Sequence, residues 1–226
     1  MTMQLDALDK LSATAFDGYL VRKDLVRRYS RMYPVPTYVV EFLLGRYCAS
    51  VDENEINEGL EIVEKQLKDR TVRTGDEELF KARARELGSV RVIDIVRARL
   101  DAKNDCYLAE LPSLALRDVR IEDTLVRENE RMLTDGFYAE VTLAYDGVIA
   151  QQQGGRPFKI DALRPIQMSK ADVLDVLAAG RRNFALSEWI SFLLRSVGLE
   201  PDALTDRAKK VTLLRMVPFV ERNYNL

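Results

Sequence analysis

The sequence contains no histidine among its 226 residues. Histidine is the usual general base of serine and cysteine hydrolases and a common ligand of zinc, so its absence excludes the histidine-dependent forms of those chemistries. A GxxxxGK[ST] phosphate loop and a GxGxxG turn are also missing. We therefore predict that these 226 residues are not an enzyme by themselves and hold no cofactor.

Cysteine and long apolar runs are scarce as well. Only Cys48 and Cys106 occur, and neither has a second ligand at a metal-binding spacing, which predicts two buried free thiols. No apolar run approaches the ~20 residues of a membrane-spanning helix, and the first residues lack the basic-then-apolar pattern of a secretory signal. We expect a soluble, cytoplasmic protein with reduced cysteines and no membrane partner.

The charges of the chain nearly cancel, with 34 basic and 36 acidic residues and a net charge of −2. Such a balance gives no global attraction to nucleic acid or to an anionic membrane, so any binding of this kind must come from a local patch. Hydrophobic residues make up 47% of the chain, which is ample material for a packed core. The length fits one large domain or two small ones.

Between residues 89 and 168 the pattern changes from helical to strand-like. Apolar and polar residues alternate over residues 96–101, which predicts a strand with one wet face and places Leu100 on the dry face. Two apolar neighbours, Val92 and Ile93, interrupt the alternation and suggest a bulge or a bend. A polar tip at residues 101–105 and an apolar run at 106–111 then predict a hairpin.

The remaining elements of this stretch predict a barrel. A short strand at residues 119–121, a helix at 122–133 and strands at 137–145 and 157–168 give the order strand, strand, strand, helix, strand, strand. This is the order of the five-stranded Greek-key barrel of the OB-fold, which often carries oligonucleotides, and a small α+β sheet without a ligand is the alternative. The predicted fold class is α+β, with an N-terminal helical layer at 1–88, an OB-like barrel at 89–168 and C-terminal helices at 169–226.

Helix boundaries can be assigned from capping residues. Asp52 and Asp76 are placed to cap two helices of the first layer, and Gly88 is placed to end the second of them. After the barrel, a near-capping box at 169–172, a helix opened at 187–188, and a last helix over 202–223, kinked or ended at Pro218, are predicted.

Two groups of cations invite a phosphate-binding interpretation. One lies in the N-terminal helices (Arg22, Lys23, Arg27 and Arg28), where a solvated face balanced by Asp17 and Asp24 is the favoured interpretation. The other runs from the end of the helix before Gly88 into the first strand and is the most cationic part of the chain, offset in part by Glu86, Asp94 and Asp101.

Several stretches together are similar to one known family. They are GYLVRKDLVRR at residues 18–28, VPTYVVEFLLGRYCAS at 35–50, RPIQM at 164–168, EWISFLLRSVGLEP at 188–201 and RMVPFVERNYNL at 215–226. They closely resemble the N-terminal part of the BrxL family, Lon-like AAA+ proteins of the bacterial BREX phage-exclusion systems. In that family a nucleotide-binding loop, an AAA+ core and a Lon-like domain follow, so the resemblance implies an N-terminal fragment. It also implies ATP and magnesium as cofactors of the full-length protein.

The resemblance implies an arrangement like the N-terminal region of minichromosome-maintenance helicases, in which a helical layer and an OB barrel stack on a motor ring and bind DNA. One interpretation is therefore a DNA-binding module that grips the nucleic-acid backbone within a ring assembly. The alternative is an oligomerisation and partner-docking domain, with other BREX proteins as possible partners and little DNA affinity of its own.

The residues predicted to contact nucleic acid lie on the barrel and in its loops at 101–105 and 146–156, because those loops border the binding face of an OB barrel. Arginine and lysine suit phosphate as charged donors, and asparagine offers a neutral donor to sugar or base edges. The predicted set is Arg97, Arg99, Lys103, Asn104, Arg156 and Lys159. No aromatic stacking series is evident on the wet face; Tyr107 and Tyr138 are candidates for stacking, but packed tyrosines are an equally favoured interpretation, which favours backbone recognition over the reading of bases.

Overall fold

A computed structural model of the chain describes residues 6–50, 52–166 and 173–221. Five helices precede the sheet: α1 (Ala7–Ala15), α2 (Lys23–Met32), α3 (Thr37–Tyr47), α4 (Glu53–Arg70) and α5 (Glu77–Leu87). The carboxylate of Asp52 accepts hydrogen bonds from the N–H groups of Asn54 and Glu55 and so caps α4 as predicted. Asp76 lies at the N-cap position of α5 as predicted, but its side chain makes no capping hydrogen bond.

Five strands form a mixed sheet that closes into a barrel in the order β1-β2-β3-β5-β4. They are β1 (Ser89–Asp101), β2 (Cys106–Leu111), β3 (Leu116–Arg120), β4 (Phe137–Tyr145) and β5 (Phe158–Pro165). The pairing of β3 with β5 is parallel and the other pairings are antiparallel. Helix α6 (Asp123–Glu128) and a 3-10 turn (Glu130–Leu133) connect β3 to β4. The predicted α+β class and order of elements are confirmed, and residues 167–168 of the predicted last strand lie outside the described residues.

Strand β1 has no bulge at Val92 and Ile93, because its register with β4 runs without a shift from Ser89 to Val96. The alternation fails there since both faces of the strand are buried. Val92 packs in the barrel interior, whereas Ile93 packs against the helices. After Val96 the strand no longer pairs with β4 and pairs with β2 instead.

Two residues of β1 face the opposite environment from the one predicted. Asp94 does not offset the surface cations, because it is fully buried inside the barrel. Its carboxylate accepts hydrogen bonds from the backbone N–H of Ser113 at 3.0 Å, from the Ser113 hydroxyl at 2.8 Å and from the N–H of Ile95 at 2.7 Å. Leu100, predicted on the dry face, is exposed near the end of the strand, opposite Tyr107.

Helices α2, α3 and α4 cover the outer face of β1 and β4. Their apolar residues form one cluster with Ile93 of β1 and Ile166, and Tyr138 of β4 packs against it. Gly59 permits the close crossing of α3 and α4, since a Cβ atom there would lie 2.0 Å from the carbonyl oxygen of Tyr47. One side of the barrel is therefore closed to ligands by the helical layer.

Within the described residues, the short helix α7 (Gly147–Ala150) lies between β4 and β5, and three longer helices follow β5: α8 (Val173–Arg181), α9 (Leu186–Ser196) and α10 (Asp206–Met216). Helix α9 ends at Ser196, shortly before Gly198, whose φ of 85° is left-handed. The hydroxyl of Thr205 caps α10, which ends two residues before Pro218. Residues 169–172 and 222–223, where a capping box and the last helix end were predicted, lie outside the described ranges.

No helix within the described parts of the chain is both long and apolar enough to cross a membrane.

The two cysteines are free and differ in accessibility. Cys48 is buried as predicted, whereas Cys106 on β2 is only half-buried. Burial raises the pKa of the Cys48 thiol to about 11, which suppresses the reactive thiolate.

We therefore expect a thiol reagent at neutral pH to label Cys106 first and Cys48 only after denaturation, as measured by peptide mass spectrometry. A Cys48–Cys106 disulfide in a non-reducing peptide map would contradict both this result and the predicted reducing compartment.

Candidate nucleic-acid interface

The side of the barrel away from the helical layer remains open. On the covered side, Glu140 of β4 forms an ion pair with Arg70 of α4 at 2.9 Å, and Tyr138 contacts the ring of Tyr38 edge-on at 6.0 Å. On the other side, Arg99 of β1 and Asp118 of β3 are exposed. A ligand of the barrel strands therefore has access to exposed positions of β2, β3, β5 and the second half of β1, and to the adjoining loops.

The two loops predicted to border the binding face do lie together. Arg156 Nη2, in the loop between β4 and β5, is 3.0 Å from Asp101 Oδ2, at the start of the loop between β1 and β2. Asn104 Nδ2 donates to the same oxygen at 2.8 Å. These hydrogen bonds, first from Asn104 and then from Arg156, lower the pKa of Asp101 below its ordinary value. The carboxylate of Asp101 thus lies between the two loops, where it accepts hydrogen bonds from both Asn104 and Arg156.

Arg120 of β3 belongs to this arrangement and was missed from the sequence. Its Nε donates to the carbonyl oxygen of Arg156 at 2.8 Å, and its Nη2 lies 3.6 Å from Asp146 Oδ2. The other oxygen of Asp146 caps α7 by accepting from the N–H groups of Val148 and Ile149. The available signal was the polar position of Arg120 between two apolar residues of a predicted strand.

Lys159 of β5 lies beside Arg120 across the parallel pairing of β3 and β5. Its Nζ is 2.6 Å from Glu122 Oε1, and this contact lowers the pKa of Glu122. Both basic side chains line a shallow cavity of about 430 Å³ next to Asp146. Lys159 therefore joins the loop residues on one continuous surface.

The remaining predicted residues differ in how they are held. Arg99 pairs with Asp118, and Arg97 Nε donates to the carbonyl oxygen of Asp135 at 3.3 Å. Lys103, at the exposed tip of the β1–β2 hairpin, makes neither an ion pair nor a hydrogen bond with another described residue. Lys103 and Arg97 are thus the two cations of the predicted set that a phosphate can reach without displacing a carboxylate.

Chemically, the open face suits a polyanion held by its backbone. Ion pairs near the surface contribute about 0 to 1 kcal/mol each, so phosphate can replace the carboxylate partners at small cost. Neither tyrosine predicted as a stacking platform is free for that role, because Tyr107 packs against the barrel core and Tyr138 against the helical layer. The face therefore offers charged donors without a series of stacking rings.

Two of the four cations predicted as a group in the N-terminal helices are paired with neighbouring carboxylates. Arg22 lies 2.8 Å from Asp24 and 3.0 Å from Glu53, and Lys23 lies 2.7 Å from Glu41. Asp24 is a partner as predicted, whereas Asp17 forms no ion pair with a described residue, and Glu53 and Glu41 were not among the predicted partners. These cations line one wall of a cleft of about 1000 Å³ that is distinct from the open barrel face.

Within the ranges that the structure describes, no three acidic or cysteine side chains come together as a possible metal site.

Comparison with known proteins gives family matches for both the N-terminal part and the C-terminal part of the chain. Residues 14–145 match the family described as "BREX system Lon protease-like protein BrxL N-terminal", and residues 158–226 match "Lon-like protease BrxL-like, ATPase domain". The chain thus joins the N-terminal region of a Lon-like protein to part of an ATPase domain. It belongs to the BrxL family, as the sequence resemblance implied.

Two curated relatives, both named "Lon-like protease BrxL", are similar along almost the whole chain. The protein of Escherichia coli O9:H4 (strain HS) is 41% identical over 97% of the chain, and that of Bacillus cereus (strain H3081.97) is 42% identical over 93%. The chain spans 31% of the length of each relative. The AAA+ core was expected to lie wholly outside the sequence, but the ATPase-domain match begins within β5 and so includes a part of that domain.

Proposed function

We propose that this chain is a DNA-binding module of a cytoplasmic phage-defence ATPase with a Lon-like domain, and that its barrel is of the OB type. The order β1-β2-β3-β5-β4, the parallel pairing of β3 with β5 and the helix between β3 and β4 support the OB assignment. The observation that carries the function is the convergence of the two loops at 101–105 and 146–156, joined by Arg156 and Asp101, on the open side of the barrel.

In this proposal the nucleic acid is held by its phosphates. Lys103 meets a phosphate directly, whereas Arg99, Arg156 and Lys159 exchange their carboxylate partners for phosphate oxygens. A single weak face becomes a strong site when several copies in a ring bind one strand, because each further contact is then intramolecular. ATP hydrolysis with magnesium is assigned to the full-length protein and not to these 226 residues.

The direct test is DNA binding by the Lys103→Ala variant, followed by fluorescence anisotropy at several salt concentrations. We expect weaker binding of unrelated sequences by a similar factor, because a phosphate contact carries no sequence information. The slope of log affinity against log salt should fall by about 0.7 for single-stranded or about 0.9 for double-stranded DNA.

The matched control is the pair Arg22→Ala and Lys23→Ala in the helical layer, where we expect a smaller effect because both cations are held by carboxylates. Fold integrity is checked by the unfolding transition, which an exposed hairpin substitution shifts by under about 0.5 kcal/mol. A dominant effect in the helical layer together with a silent Lys103 would move the site away from the barrel.

A second function, assembly or partner docking, is supported by exposed apolar side chains in the C-terminal helices. Leu174 of α8 is 80% exposed, and Phe219 and Val220, which follow α10, are 88% and 85% exposed, which is unusual for large apolar groups. Light scattering without DNA separates the two proposals. Concentration-dependent association with no salt-sensitive DNA binding would favour docking over the DNA function.

A further inference from the structure

Helix α1 packs against the C-terminal helix α9. Phe16, directly after α1, is 3% exposed and forms an aromatic cluster with Phe184, Trp189 and Phe192. Its ring stacks on Phe192 with centroids 5.0 Å apart and on Phe184 at 5.9 Å. This aromatic cluster forms a hydrophobic core separate from those of the barrel and of the helical layer.

The ion pairs of Arg195 and the close approach of Gly180 add to this aromatic contact. Arg195 of α9 lies 2.7 Å from Asp6 and 3.0 Å from Asp9, so it joins both ends of the first turn of α1. Gly180 of α8 sits directly under the ring of Phe16, where a Cβ atom would lie 2.2 Å from a ring carbon. The groove between α8 and α9 is therefore shaped for this phenylalanine, and only glycine at residue 180 leaves room for it.

The contact crosses the boundary between the two family regions. Phe16 belongs to the N-terminal match, whereas its aromatic partners and Gly180 lie in the ATPase-domain match. Residues 16–22 connect α1 to α2, and Gly18 within them has a left-handed φ of 74°. Phe42 of α3 and Phe192 of α9 lie on the walls of the 1000 Å³ cleft, so a cleft separates the two regions beside this connection.

We propose that α1 is an intramolecular docking segment that couples the barrel-bearing N-terminal region to the ATPase-matching helices. The groove of α8 and α9 is the binding surface, and α1 with Phe16 is its partner. While α1 is docked, the short connection at 16–22 limits how far the cleft can open. When α1 leaves the groove, the two regions change their relative position. This inference does not depend on whether the barrel binds DNA.

Gly180→Ala is the sharpest test, measured by hydrogen exchange of the whole chain. Alanine in place of glycine inside a helix normally stabilises it, so undocking of α1 would oppose the intrinsic preference. We expect α1 amides to exchange at least about tenfold faster, with β1 and β4 amides unchanged. Phe16→Ala should have the same effect, and the double variant should add little to either single one, because both remove one contact.

Phe219→Ala is the matched control for Phe16→Ala, since it removes a phenylalanine that is exposed and not buried. It should leave the exchange of the α1 amides unchanged.

Spin labels at Lys68→Cys on α4 and Lys210→Cys on α10, in a Cys106→Ser background, report the distance between the regions. We expect a broadened or longer distance distribution in Phe16→Ala.

Three results would overturn the proposal. They are unchanged or slower α1 exchange in Gly180→Ala, an acceleration that spreads equally to the barrel strands, and an unaltered distance distribution in Phe16→Ala. The second would show that the contact supports the whole fold rather than joining two regions.

Discussion

Replacing Asp94 with alanine is expected to lower the free energy of unfolding by about 3 kcal/mol at neutral pH. The substitution removes the acceptor of three hydrogen bonds inside the barrel and leaves the N–H groups of Ile95 and Ser113 and the Ser113 hydroxyl without a partner. Buried donors left unsatisfied cost more than the hydrogen bonds contribute. Chemical denaturation monitored by circular dichroism measures the change.

The pKa of Asp94 leads to a second prediction, which concerns how the effect of this substitution on stability depends on pH. Burial raises the pKa of Asp94 above its ordinary value of 3.8. The folded chain therefore binds this proton more tightly than the unfolded chain, so the stabilisation is fully present below pH 3.8 and is lost as the pH rises through the folded pKa. The stability advantage of the wild type over Asp94→Ala should accordingly be larger below pH 3.8 than at neutral pH.

Asp161→Ala is the control, because Asp161 is an exposed aspartate on β5 of the same barrel. Its effect should stay within about 0.5 kcal/mol. Equal effects of the two substitutions would show that the Asp94 hydrogen bonds do not support the barrel.

Replacing Asp101 with asparagine is expected to strengthen DNA binding about fivefold at low salt. Asp101 occupies the point between the loops where Asn104 and Arg156 donate, so in the proposed function its carboxylate competes with phosphate for these donors. Replacing the carboxylate with an amide removes the like-charge repulsion between residue 101 and a bound phosphate. The gain should shrink as salt rises, since exposed charges are screened.

Arg156→Ala should act in the opposite direction, because it removes the cation and keeps the carboxylate. Glu58→Gln on α4 is the matched control for net charge, as Glu58 is exposed on a helix away from the loops. Anisotropy titrations of the three variants at one salt concentration give the comparison. Weaker binding by Asp101→Asn would mean that the ion pair shapes the loops for the ligand and does not compete with it.

Much of the arrangement of elements was predictable because it depends on local patterns. The hairpin at β1 and β2, strand β4, the cap at Asp52 and the stop at Gly88 follow from alternation, polar tips and capping chemistry within a few residues. The family could likewise be inferred from short stretches alone, and the matches confirm it. The candidate site could be predicted only as a set of exposed cations and two loops.

The sequence by itself determined which segments are helices and strands, their order and the family, since each depends on neighbours in the chain. Tertiary structure decided which faces are buried. Val92 and Ile93 look like a defect in one strand until a barrel and a helical layer cover opposite faces of it. Asp94 looks like a surface charge until Ser113 supplies donors in the barrel. Helix α1 joins the distant α9 because burial depends on contacts between residues far apart in sequence, which no local pattern encodes.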